Sequence, residues 1–145
     1  MIKLYFKVKI LLKMILIFLD DERNVEDVVW SPETQATAEK ASKTIVVRNF
    51  NEFVKAINEL KEQEEKIVVS FDNDLCDFHQ NPSDLVKQYG NQNKYGAYPD
   101  SYETTGKSCL RYLLDNFDKQ KIYKLIVHSK NNIAKMEMEK IIKEN

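Results

Sequence analysis

The chain has 145 residues, a length suited to one domain, since domains commonly run to about 100–200 residues. With 43% hydrophobic and 31% charged residues it is too apolar for a disordered chain. Lys+Arg at 22 against Asp+Glu at 23, a formal net charge of −1, argues against bulk electrostatic binding of double-stranded DNA but not against a small phosphate-bearing ligand in a local pocket.

Residues 1–13, MIKLYFKVKILLK, are apolar but carry Lys3, Lys7, Lys9 and Lys13. A signal peptide keeps its charges ahead of an unbroken apolar run, and a membrane helix needs about 20 apolar residues. This stretch therefore reads as an appendage, an added strand or an upstream-start extension, ahead of one domain over residues 14–145. It also offers an edge strand for another chain, so homo-oligomerisation stays open. Cys76 and Cys109 make no disulfide framework and read as free thiols in a reducing, cytoplasmic setting. No membrane association is expected.

Four runs read as strands buried on both faces, as in a central parallel sheet: residues 15–19, 44–47, 66–71 and 124–127. Between the first two lie Trp30, Ser31 and Pro32 and a polar, helix-like piece over 33–42. Residues 51–63 carry Phe53, Val54, Ile57 and Leu60 at helical spacing, with Asn51 as the expected N-cap. Residues 76–104 have no strong period and read as a long insertion, the kind of segment that serves as a functional lid. Two further helices are expected over 105–117 and 132–143. Alternating strands and helices imply a doubly wound α/β sandwich.

Ligands in such sheets bind beyond the carboxyl ends of the strands. Asp20, Asp21, Glu22 and Arg23 follow the first strand, Arg48 the second, Asp72, Asn73 and Asp74 the third, and His128, Ser129 and Lys130 the fourth. Carboxylates gathered on one edge raise each other's pKa or require a cation between them, and hard oxygen donors suit Mg²⁺ or Mn²⁺. Each Asp could instead cap the turn after its strand. Nearby carboxylates would favour a charged His128. Ser129 could donate to a phosphoryl oxygen or close a turn. Arg23 and Arg48 carry planar forks suited to phosphate, or to ion pairs with the same aspartates. Thr105 and Gly106 stand before a helix, where anions bind and where plain caps also occur.

At these residues the chain resembles the cyclic-phosphate processing receiver domains. The motifs are Leu19-Asp20-Asp21-Glu22-Arg23, Val47-Arg48 with Glu52-Phe53, Ser70-Phe71-Asp72-Asn73-Asp74-Leu75, Thr105-Gly106, and Val127-His128-Ser129 with Asn131. The resemblance implies a receiver/flavodoxin-like three-layer sandwich with a central parallel sheet of about four to five strands and the long insertion after the third. It also implies processing of cyclic phosphates on nucleotides or RNA ends, in conflicts between phage and bacterial host. Asn73 stands where the family usually has His, Cys76 where it often has Gly, and a Lys-bearing fifth strand is not evident.

The expected function is a metal-dependent phosphoesterase. Asp20, Asp21 and Asp72 would hold Mg²⁺ or Mn²⁺, and His128, Asp72 and Asp74 would be catalytic, with His128 moving a proton and Asp74 orienting it or binding the metal. Arg23, Arg48, Asn73, Thr105, Gly106 and Ser129 would contact a cyclic nucleotide or a cyclic-phosphate RNA end. His79 could supply the missing imidazole, and Tyr89, Tyr95, Tyr98 and Tyr102 could stack on a base or pack a lid. The alternatives are a module that sequesters a cyclic nucleotide or binds a partner without chemistry, and a signalling receiver phosphorylated on Asp72.

Overall fold

A computed structural model describes residues 13–75 and 105–145. The expectations for residues 1–12, for Cys76 and His79, and for Tyr89, Tyr95, Tyr98 and Tyr102 lie outside the described residues.

Strand β1 is Ile15–Leu19, β2 Lys43–Val47, β3 Ile67–Phe71 and β4 Ile122–Val127. They form one parallel sheet in the order β2-β1-β3-β4. The central strands β1 and β3 are buried at every residue, as their Ile, Val, Leu and Phe content demands. The expectation that all four runs are buried on both faces is corrected for β2 and β4. These are the edges among the described residues, so their side chains are partly exposed, Val46 and Tyr123 conspicuously so.

Helix α1 is Pro32–Lys40, α2 Phe50–Leu60, α3 Gly106–Asn116 and α4 Asn132–Glu144. Side chains alternate across a strand, so each strand divides its residues between two faces. Ile15, Ile17 and Leu19 of β1 and Ile67, Val69 and Phe71 of β3 join the larger core, with Phe53, Ile57 and Leu60 of α2, Leu110 and Leu113 of α3 and Met138 of α4. Among the described residues the opposite face holds a smaller apolar group, Met14, Leu16, Val68 and Ile126, against which Val25, Ala38 and Ala41 pack. Burying a large apolar side chain is worth about 1.5–3 kcal/mol, so among the described residues the α2–α3–α4 side contributes the larger share of the stability.

The N-cap of α2 is Asn49, not the expected Asn51: its backbone is extended and its side chain accepts a 2.8 Å hydrogen bond from the Glu52 amide. The helix begins earlier because Phe50 belongs to its apolar stripe and is fully buried. At the other end, Lys121 Nζ donates to the carbonyls of Leu60, Lys61 and Gln63 and satisfies the end of α2 with a cation. No helix among the described residues is long and apolar enough to cross a membrane.

Candidate functional site

Three ladder hydrogen bonds continue past the strand ends and place the polar residues side by side. The Asp20 amide donates to the Val47 carbonyl at 3.1 Å, the Asp72 amide to Leu19 at 2.9 Å and the His128 amide to Phe71 at 2.9 Å. Arg48, Asp20, Asp72 and His128 thus occupy neighbouring positions one step beyond the sheet. Alternation puts Phe18, Ser70 and His128 on the α1 face, where the apolar group is small.

Asp20 is fully buried and heavily bonded. Its Oδ1 accepts from the amides of Glu22 at 3.0 Å and Arg23 at 2.8 Å. Its Oδ2 meets His128 Nε2 at 3.0 Å and Arg23 Nε at 3.1 Å. Burial pushes the Asp20 carboxyl up, but the His128 hydrogen bond, the Arg23 and Glu22 amides and the Arg23 charge outweigh it and hold the group below its ordinary range. Asp72 is the opposite case. Burial first, and then the charge on Asp20, push its carboxyl up against the pull of His128, Arg23 and the Asn73 amide. Its Oδ1 accepts from that amide at 2.9 Å and its Oδ2 from Arg23 Nη2 at 3.4 Å.

Asp20, Asp21 and Asp72 each offer an oxygen, and these ligand atoms all lie within 4.8 Å of one another. An all-carboxylate oxygen set with one member held anionic and another pushed up by burial and by its neighbour's charge fits a metal ion chemically. Asp74 is not one of these three converging acids. Its side chain is exposed and accepts a 3.3 Å hydrogen bond from Asn73 Nδ2, and its backbone forms a bridge to Thr105.

His128 is oriented by Asp20 rather than by Asp74. Its ring stacks on Phe18, with centroids 4.6 Å apart, and reaches over β3 to Asp20 in the space left by the small Ser70. Ser70 Oγ lies 2.7 Å from His128 Nδ1 and 2.8 Å from Thr34 Oγ1, which lies 2.7 Å from Ser31 Oγ. All five members of this chain, from Asp20 to Ser31, are buried. Both ring nitrogens are therefore engaged inside the protein. Trp30 closes the flank: its Nε1 donates to the His128 carbonyl at 2.7 Å, and Arg23 and Lys130 lie 5.0 and 4.1 Å from its ring centre.

The remaining expected residues mostly bind the protein to itself. Arg48 donates to the carbonyls of Asp20 at 3.2 Å and Arg23 at 2.6 Å and to Asn24 Oδ1 at 2.6 Å, bracing the turn that carries the acids. Ser129 Oγ accepts from the Asn131 amide, and Asn131 caps α4. Asn73 joins the end of β3 to α3, its carbonyl accepting from the Gly106 amide at 2.8 Å and its Oδ1 from the Lys107 amide at 3.4 Å. Thr105 caps α3 by accepting from the Ser108 amide. The first amides of α3 are thus engaged at home rather than turned to a ligand. Gly106 is required by close approach, since a Cβ there would lie 1.9 Å from the Asp72 carbonyl oxygen.

Sequence reasoning missed Phe18, Trp30, Thr34 and Ser70 as site components. The available signal was Ser70, a lone polar residue within the apolar run Ile67–Phe71. Neither a curated protein nor a solved structure matches the chain. The model of one family, the cyclic-phosphate processing receiver domain, matches residues 15–144, which include every strand and helix described above. On that match, and with the acids and His128 gathered beyond a four-stranded parallel sheet, the chain belongs to the cyclic-phosphate processing receiver domains.

Proposed function

We propose that this receiver domain is a metal-dependent phosphoesterase that opens a cyclic phosphate on a nucleotide or RNA end. The observation that carries the reading is the convergence of Asp20, Asp21 and Asp72, with Asp20 held anionic by buried partners. In this reaction the oxygen of water joins phosphorus, one phosphorus–oxygen bond of the ring breaks, and the freed ribose oxygen is protonated. Asp20, Asp21 and Asp72 would hold Mg²⁺ or Mn²⁺, which when bound supplies positive charge to the phosphoryl group. Arg23, partly exposed beside Asp20 and Asp72, would meet a phosphate oxygen. His128 acts through Asp20, fixing the direction and charge of that carboxylate, and is a positioning residue in this reading. Asp74, whose side chain is exposed two residues after Asp72, would take the proton from the attacking water. The conflict between phage and host implied by the resemblance is part of the same proposal.

The test is a panel of cyclic nucleotides and 2′,3′-cyclic-phosphate RNA ends incubated with Mg²⁺ or Mn²⁺, then with EDTA, and read by mass spectrometry. Metal-dependent opening that is lost in Asp20→Ala and lowered in His128→Ala is expected. A specific observation favours a second reading, a module that binds without turnover: both ring nitrogens of His128 are engaged and the residue is 1% exposed. Retention of an intact ligand with no product would establish that reading instead.

A further inference from the structure

Two buried carboxylates close together need positive charge between them. Asp20 and Asp72 have it from within the chain. Arg23 Nε lies 3.1 Å from Asp20 Oδ2 and Nη2 lies 3.4 Å from Asp72 Oδ2, so one guanidinium bridges the acids that, with Asp21, form the candidate metal centre. The two carboxylate side chains are 0% and 2% exposed, whereas that of Arg23 is 30% exposed. The bridging group therefore has a way out toward solvent that the acids lack. While it bridges the acids its Cζ also lies 5.0 Å from the centre of the Trp30 ring, so a movement of the guanidinium would be felt by that ring.

We propose that Arg23 is a tethered counter-ion that a divalent cation displaces. Without metal the guanidinium bridges Asp20 and Asp72. Entry of a divalent ion releases the fork from the acids and frees its donors for an incoming phosphate. Arg23 thereby sets metal affinity and couples metal binding to phosphate recognition. The inference rests on the metal site of the proposed function and adds to it a competition between side chain and ion.

Trp30 is the only tryptophan in the chain and touches both the Arg23 guanidinium and the His128 carbonyl, so its emission reports the position of Arg23. Mg²⁺ is the probe, being spectroscopically silent. The full chain is titrated by calorimetry and by Trp30 fluorescence as wild type, Arg23→Gln, Arg23→Lys and Lys130→Gln. Wild-type emission is expected to change saturably at the calorimetric midpoint. Arg23→Gln should bind Mg²⁺ more tightly by about thirtyfold, the scale of one unit charge acting on a divalent ion about 4 Å away at the dielectric of water, and its emission should no longer respond. Arg23→Lys keeps the charge but loses the fork, should fall between the two, and serves if the glutamine variant does not fold. Lys130 lies over the same ring, 4.1 Å from its centre, but is not the bridging group, so Lys130→Gln should tighten binding much less.

Equal tightening in Lys130→Gln and Arg23→Gln would reduce the effect to general charge and overturn the inference. Mg²⁺ binding with unchanged affinity in Arg23→Gln, or with a silent Trp30 in wild type, would overturn it while leaving the metal site standing. No Mg²⁺ binding in any variant would overturn both.

Discussion

The two faces of the sheet are built from the same strands and do different work. On the α2–α3–α4 side, Ile17, Leu19, Val69 and Phe71 meet Phe53, Ile57 and Leu113 in a continuous apolar layer. On the α1 side the apolar group among the described residues is small, and toward the carboxyl end it gives way to the buried chain Ser31, Thr34, Ser70, His128 and Asp20. Helix α1 buries only Thr34. The lesson is a division of labour: one face supplies the stability that lets the other hold a polar chain, whose energy is spent on orienting a carboxylate. Fully bonded polar chains of this kind specify geometry, and a single deletion leaves their neighbours unsatisfied.

The sharpest way to separate the faces is to damage each alone. Phe53→Ala, which empties the apolar layer, is expected to cost about 3–5 kcal/mol in denaturant unfolding, while leaving the metal affinity of the protein that remains folded unchanged. Ser70→Ala removes the group between His128 and Thr34 and is expected to cost about 1–3 kcal/mol. Its metal affinity should also fall, because His128 is less firmly held against Asp20. Equal effects of the two substitutions on metal binding would erase the distinction.

Asp72→Asn should act with the opposite sign on stability. The folded-state pKa of Asp72 is raised above its unfolded value, so the native state binds its proton more readily and wild-type stability declines as pH rises from the ordinary carboxylate range through the raised value. Above that window the penalty is constant, and there the asparagine variant is expected to be about 0.5–2 kcal/mol more stable. The gain should vanish at pH below the ordinary carboxylate range. Unfolding curves at neutral and acid pH check this, and a parallel loss of Mg²⁺ binding would mark stability exchanged for function. The smallest effect is expected at the surface. Lys124 and Glu33 pair with both side chains about half exposed, and Lys124→Met should change stability by less than about 0.5 kcal/mol.

Much of this was legible in the residues. The run Ile15–Leu19 reads as a buried strand and is one, and the residues following each strand include Arg48, Asp20, Asp72 and His128, which the sheet brings side by side. The N-cap of α2 lies two residues before the expected one, because Asn51 and Asn49 are equally good caps locally and only the burial of Phe50 chooses between them. The part played by Ser70 was hidden for a related reason. A serine in an apolar strand is a local anomaly, and its meaning depends on Thr34 and His128, which lie 36 and 58 residues away in the chain.

By itself, then, the sequence determined the order of strands and helices, the acidic edge and the family, because strand and helix periodicity and short motifs are local properties of the chain. Tertiary structure decided what each polar group does. Arg48 and Ser129 turned inward to brace turns, His128 joined Asp20 rather than Asp74, and Arg23 became the bridge between two acids. Hydrogen bonds and ion pairs are short-ranged and directional, so a side chain's partner is chosen by which strands become neighbours, and that is settled only when the sheet is assembled.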